Sequence, residues 1–206
     1  MLVLASSSPR RRELLAQAGF VFEITPAAIV EERLTNESAI AYVTRLAREK
    51  AQAVWALRAS LDCDEDPLLV LGADTTVVSA DGQILEKPQD EADAARMLHL
   101  LSGTTHQVIT GVALVASSSV EVAAEITYVT LLTISGEEIA AYIAAGESMD
   151  KAGAYGIQGR AGRWVPHVHG CYFNVMGLPL ALASNMIEGA RTRHNKATAN
   201  SLSAAR

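Results

Sequence analysis

The apolar positions of this chain change period several times, and each change marks a predicted element. Residues 2–5 form a short apolar run that reads as a strand. Residues 10–18 after it have helical spacing and stop at Gly19, which suits a left-handed cap. A second strand over 20–25 runs into Pro26. From 36 to 59, Ile40, Val43, Ala47, Val54 and Leu57 recur at helical intervals and predict one long helix. The acidic stretch 62–67 reads as a surface loop. Residues 68–73 are an apolar strand, and 76–79 and 83–86 flank Asp81-Gly82, a hairpin-turn pair. A helix over 90–101 gathers Ala94, Met97, Leu98 and Leu101 on one side.

Two long β runs, 107–116 and 120–134, come next. Ser135 and Glu138 then have capping-box spacing, so a helix is expected to about Ala145 before Gly146. Residues 147–162 are glycine-rich without a period and read as a loop. Residues 164–168 and 171–175 are expected to pair as strands across His169-Gly170. Gly177-Leu178-Pro179 opens a last helix to about Ala190, with the proline in its first turn. The polar segment 191–206 is expected to be a disordered tail. The expectation is therefore one domain over 1–190 and a tail over 191–206. Helices and hairpins interleave without regular βαβ alternation, which favours an α/β fold with a mixed β-sheet flanked by helices over a doubly wound one.

Composition narrows the classes. Half of the 206 residues are apolar and 19% are charged, enough for a sizeable core and too apolar for general disorder. The longest apolar runs fall far short of the ~20 residues of a membrane span. The start of the chain has neither the charge nor the apolar length of a signal peptide. A net charge of −6 argues against nucleic-acid or anionic-membrane partners. The two cysteines, Cys63 and Cys171, form no Cys-x-x-Cys unit, so a reducing cytoplasm is the expected location.

Three groups of residues can carry chemistry. In Ser6-Ser7-Ser8-Pro9-Arg10-Arg11-Arg12, serine and proline mark a helix start whose free N–H groups attract anions. Three arginines in that first turn oppose the helix dipole, a misfit that a bound phosphate would relieve and that also fits a solvated basic face. In Gly72-Ala73-Asp74-Thr75, a strand delivers a carboxylate and a hydroxyl among small residues that leave room for a ligand; capping a turn is the plainer role of such an aspartate. Lys50, Lys87 and Glu31 are dispersed: Lys50 lies inside the long helix, where lysines are most often solvent-facing. Glu31 and Asp74 together suit Mg²⁺, which takes one or two carboxylates plus substrate phosphates. His167 and His169 share a strand face but lack a third metal ligand. No P-loop and no Gly-x-Ser-x-Gly is present.

Taken together, several motifs resemble the Maf family of nucleoside triphosphate pyrophosphatases. They are Ser6-x-Ser8-Pro9-Arg10-Arg11, Leu46-Ala47-x-x-Lys50, Gly72-Ala73-Asp74-Thr75, Glu86-Lys87-Pro88, Leu101-Ser102-Gly103, the stretch from Asp150 to Gly159 and Gly177-Leu178-Pro179. The resemblance runs from Leu2 to about Glu188. It implies an elongated sheet with a cleft between two lobes, a divalent cation (Mg²⁺ or Mn²⁺) on Glu31 and Asp74, and hydrolysis of a triphosphate to a monophosphate and diphosphate.

By the same resemblance Asp74 is the catalytic residue, and Ser6, Arg11, Lys50 and Lys87 bind phosphate. Arg10, Thr75 and Gln158 match the branch acting on dTTP and UTP, rather than the branch associated with 7-methyl-GTP. The partner expected is a nucleoside triphosphate, and a homodimer is compatible with the family. Two alternatives accompany this reading: a non-catalytic nucleotide sensor linked to cell division, and a pyrophosphatase for modified purine nucleotides.

Overall fold

In the computed structural model, residues 1–63 and 66–204 are described. The strands are β1 (Leu2–Leu4), β2 (Glu23–Ile24), β3 (Leu69–Val78), β4 (Ile84–Leu85), β5 (Thr105–Ala116), β6 (Ser119–Thr130) and β7 (His167–His169). The helices are α1 (Pro9–Gln17), α2 (Ala39–Arg58), α3 (Glu91–Leu101), α4 (Gly136–Ala144), α5 (Tyr172–Val175) and α6 (Leu180–Ala204). All seven strands join one open mixed sheet in the order β2-β1-β3-β5-β6-β7, with β4 added to β3. β1 lies parallel to β2 and β3, whereas β3, β5, β6 and β7 are antiparallel neighbours. This is the expected α/β class.

Strand alternation divides the core between the two faces of the sheet. On one face Leu69, Leu71, Ala73, Val112 and Leu114 pack against α1 and α6 through Leu14, Leu15, Ala183 and Ile187. Further along the same face, Val77, Val108 and Val129 pack with α3 and α4 residues such as Leu98, Leu101 and Ile139. Thr75 and Thr110, bonded to each other at 2.9 Å, lie between these two apolar clusters. The opposite face is covered by α2, whose Ala47, Ala51 and Val54 meet Val3, Val70 and Val115.

Two glycines set how closely α2 approaches. A β-carbon at Gly72 would lie 2.2 Å from the Ala47 carbonyl oxygen, and one at Gly111 would lie 2.3 Å from that of Val43. Gly72, expected to leave room for a ligand, instead leaves room for a helix backbone. Within α2 the buried stripe is Tyr42, Val43, Leu46, Ala47, Lys50, Ala51 and Val54. Ile40 and Leu57, near the two ends of the helix, are exposed.

Three other expectations are corrected. The hairpin arm at 76–79 is continuous with 68–73 as the single strand β3. Residues 171–175 are not a strand: β7 pairs with β6, and the chain after Gly170 (φ +123°) turns into α5. Polar anchors cause that turn, since Thr127 Oγ1 bonds both the N–H and the carbonyl of Cys171, and buried Asn174 donates to Val108 O and Thr127 Oγ1. The last helix does not end near Ala190 but continues to Ala204 through the segment expected to be a disordered tail. That segment contains neither proline nor glycine, so nothing local stops the helix. The acidic loop expected at 62–67 is described only outside residues 64 and 65. Among the described residues no helix is long and apolar enough to cross a membrane.

Candidate active site

The site occupies a gap in strand pairing. On one edge of β3, β1 stops pairing at Leu71 and β4 begins at Val77, so the edge between them has no strand partner. On the far edge β5 pairs throughout this stretch. A cleft of about 510 Å³ opens at the gap, and it is lined by all nine residues singled out in the sequence: Ser6, Arg10, Arg11, Glu31, Lys50, Asp74, Thr75, Lys87 and Gln158.

Asp74 faces α2 and is 8% exposed. Lys50, 7% exposed, reaches it from two turns along the buried stripe of α2, with Nζ 2.7 Å from Asp74 Oδ1 and 2.8 Å from Glu31 Oε2. The close seating of α2 on Gly72 and Gly111 places this lysine against the sheet, so it is not the solvated residue its position in a helix suggests. Burial raises the pKa of Asp74, while the cations Lys50 and Arg11 pull it down; burial wins, and the carboxylate is a stronger base than an exposed one. The irregular segment carrying Glu31 is fastened to α2. Arg45 clamps Glu37 through two hydrogen bonds and donates to Glu32 O at 2.9 Å.

The serine-arginine turn is built differently from a simple anion cradle. Ser8 caps α1, with its Oγ accepting from Arg11 N. Arg11 braces the turn against the unpaired edge of β3: Nη1 donates to Ala73 O at 2.8 Å and to Ser6 Oγ at 3.3 Å. Its Nη2 donates to Thr75 Oγ1 at 3.1 Å, and Nε to Gly177 O at 2.8 Å. Four of the five guanidinium N–H groups are thereby engaged. Ser6 Oγ accepts from Arg11 and from Ser8 N, which leaves its own O–H to donate into the cleft. Arg10 pairs with Asp150 through Nη1 at 2.8 Å. Protein oxygens therefore relieve two of the three misplaced arginine charges.

Lys87 and Gln158 lie on the other walls. Both are exposed, and neither side chain bonds to another described residue. Their polar ends are available to a ligand. Tyr42, which the sequence did not single out, also lines the cleft, as do Glu86, Asp150, Lys151 and Tyr155, which stood in quoted motifs without a role of their own. Tyr42 donates to the carboxylate of Glu86; burial, and after it Glu86, raise the phenol pKa and keep the donor protonated. A signal existed for it, since residues 42, 46 and 50 share one face of α2 at i, i+4, i+8.

Among the described residues no group of three or more His, Cys, Asp or Glu forms a metal cage. Asp74 and Glu31 do converge, both within 2.8 Å of one ammonium, and two carboxylates fit a hard cation that completes its shell with phosphate and water. His167 and His169 are exposed on β7, and among the described residues no further His, Cys, Asp or Glu joins them in a metal-binding group.

An open mixed sheet with a carboxylate-lysine centre, a capped serine turn and unpaired cationic and amide groups around one cleft offers groups that suit a polyphosphate ligand. The comparisons agree with that class. The model of the family described as "Maf-like protein" matches residues 1–190. A protein of Koribacter versatilis named dTTP/UTP pyrophosphatase is 53% identical over 189 residues, 92% of this chain and 94% of that one. One of Salmonella typhimurium with the same name is 55% identical over 179 residues, 87% of each chain. One of Shigella flexneri, 52% identical over 179 residues and again 87% of each chain, is named nucleoside triphosphate pyrophosphatase. This chain belongs to the Maf family.

Proposed function

We propose that this protein hydrolyses dTTP and UTP to the nucleoside monophosphate and diphosphate. The observation that carries the reading is the meeting of Asp74, Lys50 and Glu31 at the unpaired edge of β3, within one cleft that also holds Ser6, Lys87 and Gln158. Water oxygen forms a bond to the α-phosphorus and the bond to the bridging oxygen breaks. Diphosphate leaves with that electron pair, and Asp74 accepts the water proton. Lys87, Lys50 and the remaining N–H of Arg11 oppose the charge of the triphosphate, and the Ser6 hydroxyl donates to a phosphate oxygen. Gln158 has both a donor and an acceptor, which match the imide edge of thymine or uracil.

Glu31 and Asp74 would hold Mg²⁺ or Mn²⁺, which when bound supplies charge neutralisation on the phosphates. The cleft draws every one of these residues from one chain, so a homodimer is compatible with the site and not required by it. Free Cys63 and Cys171 suit a cytoplasmic location.

Hydrolysis of dTTP in ¹⁸O-labelled water tests the chemistry. The reading requires the label in the monophosphate and none in the diphosphate. Label in diphosphate would place the attack on another phosphorus, and tight binding without diphosphate release would favour a nucleotide sensor.

A further inference from the structure

Asp150 stands in the cleft with its two carboxylate oxygens on two different cations. Oδ2 accepts from Arg10 Nη1 at 2.8 Å and Oδ1 from Lys151 Nζ, while Arg10 Nη2 also reaches the Asp150 carbonyl at 3.4 Å. Arg10 belongs to the first turn of α1, and Asp150 opens the segment that carries Gln158. The contact therefore ties α1 to that segment within the cleft that both line.

On its own side that segment is already tightly tied. Lys151 Nζ donates to Glu147 O at 2.7 Å, Gly153 N to Glu86 O at 3.1 Å and Gly156 N to Tyr142 Oη at 3.1 Å. Gly159 N closes a turn on Gly156 O, and the Glu147 carboxylate accepts from Arg160 N. Two side chains lie close over the glycines of this turn: a β-carbon on Gly156 would lie 2.5 Å from Lys151 Cε, and one on Gly159 would lie 2.1 Å from Glu147 Oε2. Gln158 thus rides on a turn folded around Lys151 and Glu147, and Lys151 shares its ammonium with Asp150. Displacing the Asp150 carboxylate alters the partner of the lysine about which that turn is built.

We propose that Asp150 is a positioning residue for substrate specificity: its pairing with Arg10 and Lys151 sets the place of Gln158 relative to α1 and hence the selection of the base. This rests on the pyrimidine-triphosphate reading and reassigns Arg10, which acts on the base through Asp150 and the turn it steadies. The prediction differs from that for a phosphate-binding residue, whose loss lowers the rate on every triphosphate alike.

The test uses the full chain and the variants Asp150→Ala, Asp150→Glu, Arg10→Ala and the double variant Arg10→Ala/Asp150→Ala. Two readouts are taken: kcat/KM for dTTP and for ATP, and amide hydrogen exchange across residues 150–160 without nucleotide. For Asp150→Ala the ratio of dTTP to ATP should fall by at least about 3-fold, the scale of a part-exposed ion pair. Exchange in the segment should quicken at the same time. Asp150→Glu should recover most of the ratio, and the double variant should lose no more of it than either single one. A ratio unchanged in Asp150→Ala, or both substrates falling by the same factor, would overturn the proposal. Should the wild type show no preference for dTTP, the pyrimidine reading fails by itself. Exchange then decides: unchanged exchange in Asp150→Ala overturns the positioning role and faster exchange supports it.

Discussion

Lys50 Nζ lies 2.7 Å from Asp74 Oδ1, and the two groups are only 7% and 8% exposed. Their separate losses should not be equivalent. Asp74→Asn removes the proton acceptor while keeping shape and a hydrogen-bonding oxygen, so turnover should fall about 10²- to 10⁴-fold with little change in the unfolding midpoint. Lys50→Met leaves a buried carboxylate without its nearest cation and should cost about 3–5 kcal/mol of stability as well as activity. Diphosphate release and urea unfolding of both variants check this. An Asp74→Asn enzyme with wild-type kcat would contradict the role given to Asp74.

The approach of α2 to the sheet is a second point of failure. Gly72→Ala puts a methyl group 2.2 Å from the Ala47 carbonyl oxygen, so the helix must move away from β3. A loss of about 1–3 kcal/mol is expected. kcat/KM should fall too, because Lys50 moves with the helix. Urea midpoints and steady-state rates measured on the same preparation test the coupling: stability lost with activity intact would show that α2 does not position the lysine.

Stability should carry the signature of His106 between pH 6.5 and about 4. This histidine is buried and bonded through Nε2 to the Tyr155 hydroxyl at 2.7 Å, and burial lowers its pKa to about 4. The unfolded chain binds this proton near pH 6.5 and the folded one only near pH 4. Its contribution is thus intact above the unfolded pKa and lost as pH falls through that window, by up to about 3 kcal/mol. Glu37 and Asp150, held at about 2 (Glu37 by Arg45; Asp150 by Lys151 and Arg10 against burial), act at lower pH. Unfolding midpoints from pH 7 to pH 4 should fall for the wild type and flatten for His106→Gln. Equal slopes would place the titration elsewhere.

Lys87 is exposed in the cleft and has no ion-pair partner among the described residues. Lys87→Ala should lower kcat/KM for every triphosphate by a common factor of about 10 to 100, because an ammonium reads phosphate and not base. Rates on two pyrimidine and two purine triphosphates suffice to check it. A changed order of substrates would show contact with the base.

Part of the site was legible because the sequence marks the elements that carry Ser6, Arg11 and Asp74, although Asp74 lies in the middle of β3 and not at its end. Ser8-Pro9 fixes the start of α1, and the apolar run into Asp74 fixes β3; both lie where the sheet edge opens. Less visible was anything depending on how elements stack. Lys50 reads as solvent-facing because helical lysines mostly are, although its spacing from Ala47 and Val54 puts it on the buried stripe, and Gly72 reads as ligand space because no local pattern reveals that it admits a helix backbone. Arg11 reads as a free phosphate ligand because its acceptors, Ala73 O and Gly177 O, are backbone groups distant in sequence. The α5 turn reads as a strand because its cause is the buried pairing of Asn174 and Cys171 with Thr127, which no local pattern encodes.

The central claim is that one cleft hydrolyses a pyrimidine triphosphate and tells it from a purine. The direct measurement is kcat/KM for diphosphate release from dTTP, UTP, 7-methyl-GTP, ATP and GTP with Mg²⁺, for the wild type and for Gln158→Glu. Polar groups that match the right base are left unpaired by the wrong one. The wild type should therefore favour dTTP and UTP by about 5- to 150-fold, and Gln158→Glu should lose most of that advantage. Equal kcat/KM for dTTP and 7-methyl-GTP, or an unchanged profile in Gln158→Glu, would contradict it.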